Sequence, residues 1–181
     1  MWLLGLFHIL VKSKKYMPEV SMDLTNQLVE HEEYKRLVGT LEAEEADRKF
    51  CKHDFAHFLN VARIAYIENL ERGLGISKDL IYTAALLHDI GRCSEFEEFT
   101  NHDEAGAYVA RKILGDLQVD DDIINYVADA IFNHGNKYIA DYDDISGLMY
   151  RADKKSRLCE MCDAYDECNW PEDRKNRRIM S

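Results

Sequence analysis

Six side chains interrupt the apolar stripes of this chain with metal-binding or proton-carrying groups: His57, His88, Asp89, His102, His134 and Asp153. Their spacing sets where they point. His57 precedes Val61 and Ile64, and His88 closes the series Ile81, Ala84, Ala85. His102 heads Gly106, Val109 and Ile113, the series Ile123, Val127, Ala130 leads to His134, and Ile145 and Met149 lead to Asp153. Steps of three and four put each polar group on the core side of a helix. Taken singly, each has a plain alternative. A histidine on an apolar face can be a hydrogen-bonded core residue, and Asp153 can be the partner of Arg151 or Lys154. Taken together they are costly, because a buried carboxylate without compensation loses several kcal/mol. One or two divalent cations would satisfy all six at once. Imidazole with carboxylate suits Mn, Fe, Co, Ni or Zn better than Ca.

Helices must carry these residues. Both prolines, Pro18 and Pro171, lie near the ends, so the middle lacks the strongest helix breaker. Gly39, Gly73, Gly75, Gly91, Gly115 and Gly135 read as C-cap punctuation, whereas Gly147 falls near the start of the last helix. The apolar periodicity predicts helices at about 23–38, 41–50, 53–72, 78–90, 101–115, 120–134 and 143–160. Ser77 and Asp79 mark the start of the fourth. No useful β-type alternation or internal repeat appears. The expected fold is all-α, a single helical bundle over 22–160, with an extension at 1–21 and a tail at 161–181.

Composition narrows the partners. With 181 residues, 46% hydrophobic and 31% charged, the chain can build a real core. Its 23 basic against 34 acidic residues give a net charge of −11. Such a surface repels nucleic-acid backbones, so no specific nucleic acid is expected, and a small anionic ligand would need a local positive centre. Five cysteines make an odd set for a disulfide framework, which predicts reduced thiols and a cytoplasmic location. The apolar run Trp2–Val11 is too short to span a bilayer and lacks the order of a signal peptide. It reads as an amphipathic helix or an over-long start ahead of Met17 or Met22, with no membrane partner. Nothing in the sequence fixes the oligomeric state.

The segments "HFLNVARIA" with His57, "AALLHDIGR" with His88 and Asp89, and "YRADKKSR" with Asp153 resemble the HD-domain superfamily of metal-dependent phosphohydrolases over about residues 50–160. The resemblance implies that His57, His88, Asp89 and Asp153 bind one metal. His102 in "NHDEAGAYVA" and His134 in "AIFNHG" match the additional histidines of two-metal members, with Asp89 bridging. It also implies hydrolysis of a small phosphorylated substrate, such as a nucleotide or other phosphoester. A metal lowers the pKa of its water from about 15.7 to about 7, which yields a nucleophile near neutral pH. In that reading Asp89 and Arg92 are catalytic. Arg92 is the leading phosphate clamp, alternatively a helix C-terminal cation, and Lys137 is a further substrate-binding candidate. An HD-type di-iron oxygenase, or a nucleotide-sensing protein without turnover, would use the same ligands.

A second cluster lies in "RLCEMCDAYDECNW", where Cys159, Cys162 and Cys168 offer three thiols. A closed tetrahedral site needs four. Cys51 lies six residues before His57, and Cys159 lies six after Asp153. If their helices run antiparallel from a shared metal, Cys51 approaches the cluster. The expectation is a structural zinc, or alternatively an iron–sulfur centre, held by Cys51, Cys159, Cys162 and Cys168; the alternative is unligated thiols. A cysteine-rich tail of this kind also resembles a subgroup of small bacterial HD proteins.

Overall fold

The computed structural model describes residues 21–96 and 98–179. The expected N-terminal helix lies outside them. Among the described residues there are seven α-helices and no strand: α1 (Asp23–Glu30), α2 (Glu32–Glu44), α3 (Phe55–Arg72), α4 (Lys78–Leu87), α5 (His102–Asp116), α6 (Asp121–Asn133) and α7 (Ile145–Lys155). None is long and apolar enough to cross a membrane.

The helix ends follow local chemistry. Asp54 caps α3 by accepting from the His57 N–H at 2.7 Å, and Gly73 ends it at φ +64, a left-handed conformation open to glycine. Asn101 and Asp144 cap α5 and α7 in the same way. Ser77 makes no side-chain cap on α4. Asp79 instead reaches across to α1 and accepts from the Leu24 and Thr25 N–H groups at 2.9 and 2.8 Å.

Three expected helices are revised. The span 23–38 breaks at His31, whose backbone is extended, and α2 then runs on through Gly39 to Glu44. Residues 47–54 are not helical, contrary to the helix expected at 41–50. The last helix ends at Lys155 rather than 160, before the cysteines. Gly91 and Gly135 cap nothing; each permits a close approach, described below.

The helices bury Leu28, Leu37, Leu41, Phe58, Ile81, Leu86 and Leu87 almost completely. α3 packs on α4 and α7, and α5 packs on α6 and on the 3-10 turn Ile90–Arg92 that follows α4. Glu68 fastens α3 to α7. This buried carboxylate accepts from Arg72 (2.9 Å), Lys155 (2.9 Å) and Arg151, whose Nη1 also donates to the Ala140 and Tyr142 carbonyls. That fastening matters to function, since α3 carries His57 and α7 carries Asp153.

Candidate metal centre

All six residues singled out by spacing converge. Donor atoms of His57, His88, Asp89 and Asp153 lie within 4.8 Å of one another, as do those of Asp89, His102 and His134. Asp89 belongs to both sets and divides its oxygens between them. Oδ2 lies 3.0 Å from His88 Nε2 and 3.5 Å from His57 Nε2, whereas Oδ1 lies 3.5 Å from the Nε2 atoms of both His102 and His134. Asp153 Oδ1 completes the first set at 3.4 Å from His57 Nε2.

Backbone and hydroxyl acceptors decide which ring nitrogen faces inward. His88 Nδ1–H donates to the Ala85 carbonyl at 2.7 Å, and His134 Nδ1–H to the Ile131 carbonyl at 2.6 Å. A carbonyl can only accept, so both Nε2 atoms are left bare. The Ser156 hydroxyl donates to the Asp153 carbonyl (2.7 Å) and can accept from His57 Nδ1–H at 3.3 Å, which leaves His57 Nε2 without a proton, as an acceptor for Arg157 or a ligand for an ion.

These atoms fit a divalent ion better than a hydrogen-bond network. His88 Nε2 is fully buried and has no hydrogen-bond partner, although Asp89 Oδ2 is only 3.0 Å away. Two close donors that do not bond each other are aimed at a common third point. Electrostatics agrees. Burial disfavours a charged His88 ring, yet Asp89 and Asp153 outweigh it and raise its pKa to about 10, a demand for positive charge at that spot. Burial likewise opposes ionisation of both carboxylates. Even so, His88 and its neighbours hold Asp89 well below the usual range, and His57, His88 and Lys154 hold Asp153 there too. With four imidazoles and shared carboxylates, the set suits a transition-metal ion.

Gly91 and Gly135 make room for the second set. A Cβ on Gly91 would stand 2.3 Å from both the His102 carbonyl oxygen and the Gly106 nitrogen, so the 3-10 turn and the start of α5 touch backbone to backbone. A Cβ on Gly135 would stand 2.7 Å from Asp103 Oδ2. Asp103 is one of two site residues that spacing did not reveal. Its buried Oδ1 has no hydrogen-bond partner and lies 2.9 Å from His102 Nε2 and 3.3 Å from His134 Nε2. His53, four residues before His57, is expected on the same side one turn away, as a fourth ligand in place of Cys51, a group that orients a site water or a helix cap, and the structure places it beside Asp89. Burial, with Arg92 and Arg157 nearby, drops its pKa to about 4 despite Asp89 and Glu45. Its Nδ1–H donates to Glu45 Oε1 at 2.8 Å, and its Nε2 faces Asp89 Oδ2 at 3.7 Å. The other residue that spacing missed, Arg157, donates to His57 Nε2 at 3.2 Å.

Arg92 stands where expected, with Nε on Asp89 Oδ1 at 2.5 Å and Nη2 donating to His102 Nε2 at 2.7 Å. A cavity of about 300 Å³ opens beside the centre, and its walls include Asp89, Asp153, Arg48, Arg92, Lys154 and Arg157. Lys137 lies elsewhere, in an adjoining cavity.

The four-cysteine centre is corrected. Cys51, Cys159, Cys162 and Cys168 do line one narrow cavity of about 20 Å³ with Phe50, Tyr165 and Trp170. However, among the described residues no three of their sulfurs lie within 4.8 Å of one another. Thiolates around zinc would stand about 3.8 Å apart, given Zn–S bonds of about 2.3 Å. Displacement from His57 and Asp153 by six helical residues requires helix at both cysteines. Cys51 instead precedes α3 in a left-handed conformation (φ +45), and Cys159 follows α7 in a separate 3-10 turn. All five cysteines carry free thiols.

Comparison with known proteins agrees with the geometry. The chain is 41% identical over 158 residues to an uncharacterized protein of Clostridium beijerinckii, covering 87% of this chain and 99% of that one. It is 36% identical over 84 residues to Ribonuclease Y of Ureaplasma parvum serovar 3, covering 46% of this chain but only 16% of that enzyme. No solved structure matches. Residues 54–164, the span that holds all six ligand candidates, match the HD domain, and the chain belongs to the HD-domain family.

Proposed function

We propose that this protein is a metal-dependent phosphohydrolase acting on a small phosphorylated substrate. One observation carries the reading. The cavity beside the centre is lined by four cations, Arg48, Arg92, Lys154 and Arg157, in a chain of net charge −11. An uncharged oxygenase substrate has no use for them, whereas a phosphoryl group does. Ions held by His57, His88, Asp89 and Asp153, and by Asp89, His102 and His134, would supply Lewis acidity and acidify water toward neutral pH.

The chain's own groups do the rest. Arg92 is fixed by Asp89 through Nε and by His102 through Nη2, which leaves Nη1 for a phosphate oxygen. Arg157 contacts the Lys52 carbonyl and His57, with no carboxylate within 4.0 Å among the described residues, so its charge is available to a second oxygen. Two guanidinium groups on either flank can hold the phosphorus in line for attack. Water adds to phosphorus, the ester P–O bond breaks, and one proton of water ends on the released oxygen. Among the relatives, Ribonuclease Y is by name an enzyme of RNA, itself a chain of phosphate esters.

The test is hydrolysis of 4-nitrophenyl phosphate and a nucleotide panel with added Mn²⁺, alongside elemental analysis. Asp89→Asn and His88→Gln should each reduce turnover at least about 100-fold, in line with loss of a ligand or its support, while helical circular dichroism persists. Turnover that survives both substitutions would refute the mechanism.

A further inference from the structure

A second cavity, of about 580 Å³, adjoins the one at the metal centre, and the two share Lys154 and Trp170. Its walls bring together Lys137, Arg151, Lys155 and Arg174 against a single carboxylate, Asp173. Arg151 and Lys155 are engaged by Glu68. Lys137 and Arg174 have no carboxylate within 4.0 Å among the described residues. An acidic chain therefore places a second positive basin next to the first, and hydrolysis of a single phosphate gives it no task.

Trp170 stands between the basins, and its position is built. The segment after it is tied back to the end of α7 by Asn176, whose side-chain N–H groups donate to the Lys154 and Arg157 carbonyls at 2.5 and 2.9 Å. The Asn176 carbonyl accepts from the Glu160 N–H at 3.3 Å. Lys175, nearly buried, closes the segment on Tyr165 and Glu172. A half-buried indole that lines both cationic basins can stack on a planar ring.

We propose that the substrate is a nucleotide with two separate phosphate groups. One phosphate sits at the Asp89–Asp153 centre and the other in the Lys137–Arg174 basin, with the base on Trp170. This rests on the hydrolase reading above and names its substrate class. A nucleoside 3′,5′-bisphosphate and a 5′-phosphorylated dinucleotide share this chemistry. Water cleaves an ester bond of the phosphate at the centre, which releases inorganic phosphate from a monoester or two fragments from a diester, and the phosphate in the second basin stays intact.

The test uses the full chain with Mn²⁺ and compares AMP, adenosine 3′,5′-bisphosphate, the dinucleotide pApA and fructose 1,6-bisphosphate. At least one two-phosphate nucleotide should exceed AMP in kcat/KM by 10-fold or more, and the comparison of the two identifies the source. The double substitution Lys137→Ala with Arg174→Ala should collapse that ratio at least fivefold, through KM. Trp170→Ala should weaken both nucleotides and leave the sugar bisphosphate unaffected. Equal use of AMP, a ratio unmoved by the double substitution, or preference for the sugar bisphosphate would each overturn the inference. Calorimetric titration of adenosine 3′,5′-bisphosphate into the protein separates the two readings. Binding that the double variant loses, without turnover of any ester, sinks the hydrolase and leaves the two-basin site. Turnover of 4-nitrophenyl phosphate without such binding does the reverse.

Discussion

Replacing Gly91 by alanine tests the contact that brings the second half of the centre into place. The added Cβ would stand 2.3 Å from the His102 oxygen and the Gly106 nitrogen and 2.9 Å from the Ala105 carbonyl carbon. Real Cβ contacts almost never fall below 3.0 Å, so α5 must retreat by about 0.7 Å at the least. All three atoms are backbone, and no rotamer change relieves them. Metal–ligand distances tolerate about 0.2 Å, so a retreat of this size takes His102 out of range of an ion shared with Asp89. Overpacking costs about 1–3 kcal/mol, which corresponds to a melting temperature lower by roughly 2–12 °C for a domain of this size. The assay is elemental analysis after Mn²⁺ loading and desalting, together with scanning calorimetry. Gly91→Ala should lose the ion at His102 and His134 and keep the one at His57, His88 and Asp153. Gly39→Ala is the control: its Cβ would meet nothing within 4 Å inside α2, and it should stabilise by about 0.5–1 kcal/mol. A Gly91→Ala protein with full metal content and unchanged melting would refute the backbone contact and the positioning argument with it.

Other expectations follow from the same geometry. Asp89→Asn should empty both metal positions, His134→Ala only the second and Asp153→Ala only the first; equal losses in all three would mean a single ion. Glu68→Ala removes the acceptor shared by Arg72, Arg151 and Lys155, leaves a buried void, and should cost about 3–5 kcal/mol, read by denaturant unfolding; a loss below about 1 kcal/mol would reduce the α3–α7 tie to a surface ion pair. The folded pKa of His53, about 4, lies below its unfolded value of about 6.5, so the unfolded chain takes up the proton first. Its contribution is complete above pH 6.5 and is lost as pH falls from about 6.5 to 4, on the order of 3 kcal/mol in all. His53→Gln should flatten that part of the unfolding profile of the metal-free protein, and an identical slope would place the ring in water.

The ligands were legible because each sat on an apolar stripe, where a polar residue is expensive enough to demand a reason. His57, His88, His102, His134 and Asp153 were found that way, and the structure brings all of them to Asp89. Glycine was a poorer guide. Gly73 does end a helix, but Gly39 lies inside one and Gly91 marks a backbone contact, and composition alone does not separate these uses. Asp103 and Arg157 escaped because their neighbours give them no periodic signature, whereas the four-residue step to His57 does mark His53. Asp103 lies beside His102 in an acidic first turn that reads as helix-dipole chemistry. The signal for Asp103 was Gly135, whose missing side chain is the space its carboxylate fills. The cysteines show the opposite failure: helical displacement brought four thiols to one cavity, yet the segments carrying them were not helical, and the sulfurs stop short of a closed set.

The placement of His88 and His134 suggests how a bundle can make such a centre cheaply. Each is the residue that ends its helix, α4 or α6, and each donates Nδ1–H to the carbonyl three residues back. The last carbonyls of a helix have no partner within it and must find one. A histidine at that position gives the carbonyl a short bond from one ring nitrogen, which for Ile131 adds to the longer one from the His134 N–H at 3.3 Å, and turns the other nitrogen outward, so the bond at the helix end also fixes the tautomer a metal requires. Asparagine could satisfy the carbonyl, but its amide would offer the ion no comparable nitrogen. Glutamine could reach the centre only by giving up the cap. At each of these two positions His→Asn should therefore keep most of the melting temperature and lose the metal, whereas His→Ala should lose both. If His134→Asn proves as unstable as His134→Ala, the ring is held by packing alone, and the helix end contributes nothing to the choice of residue.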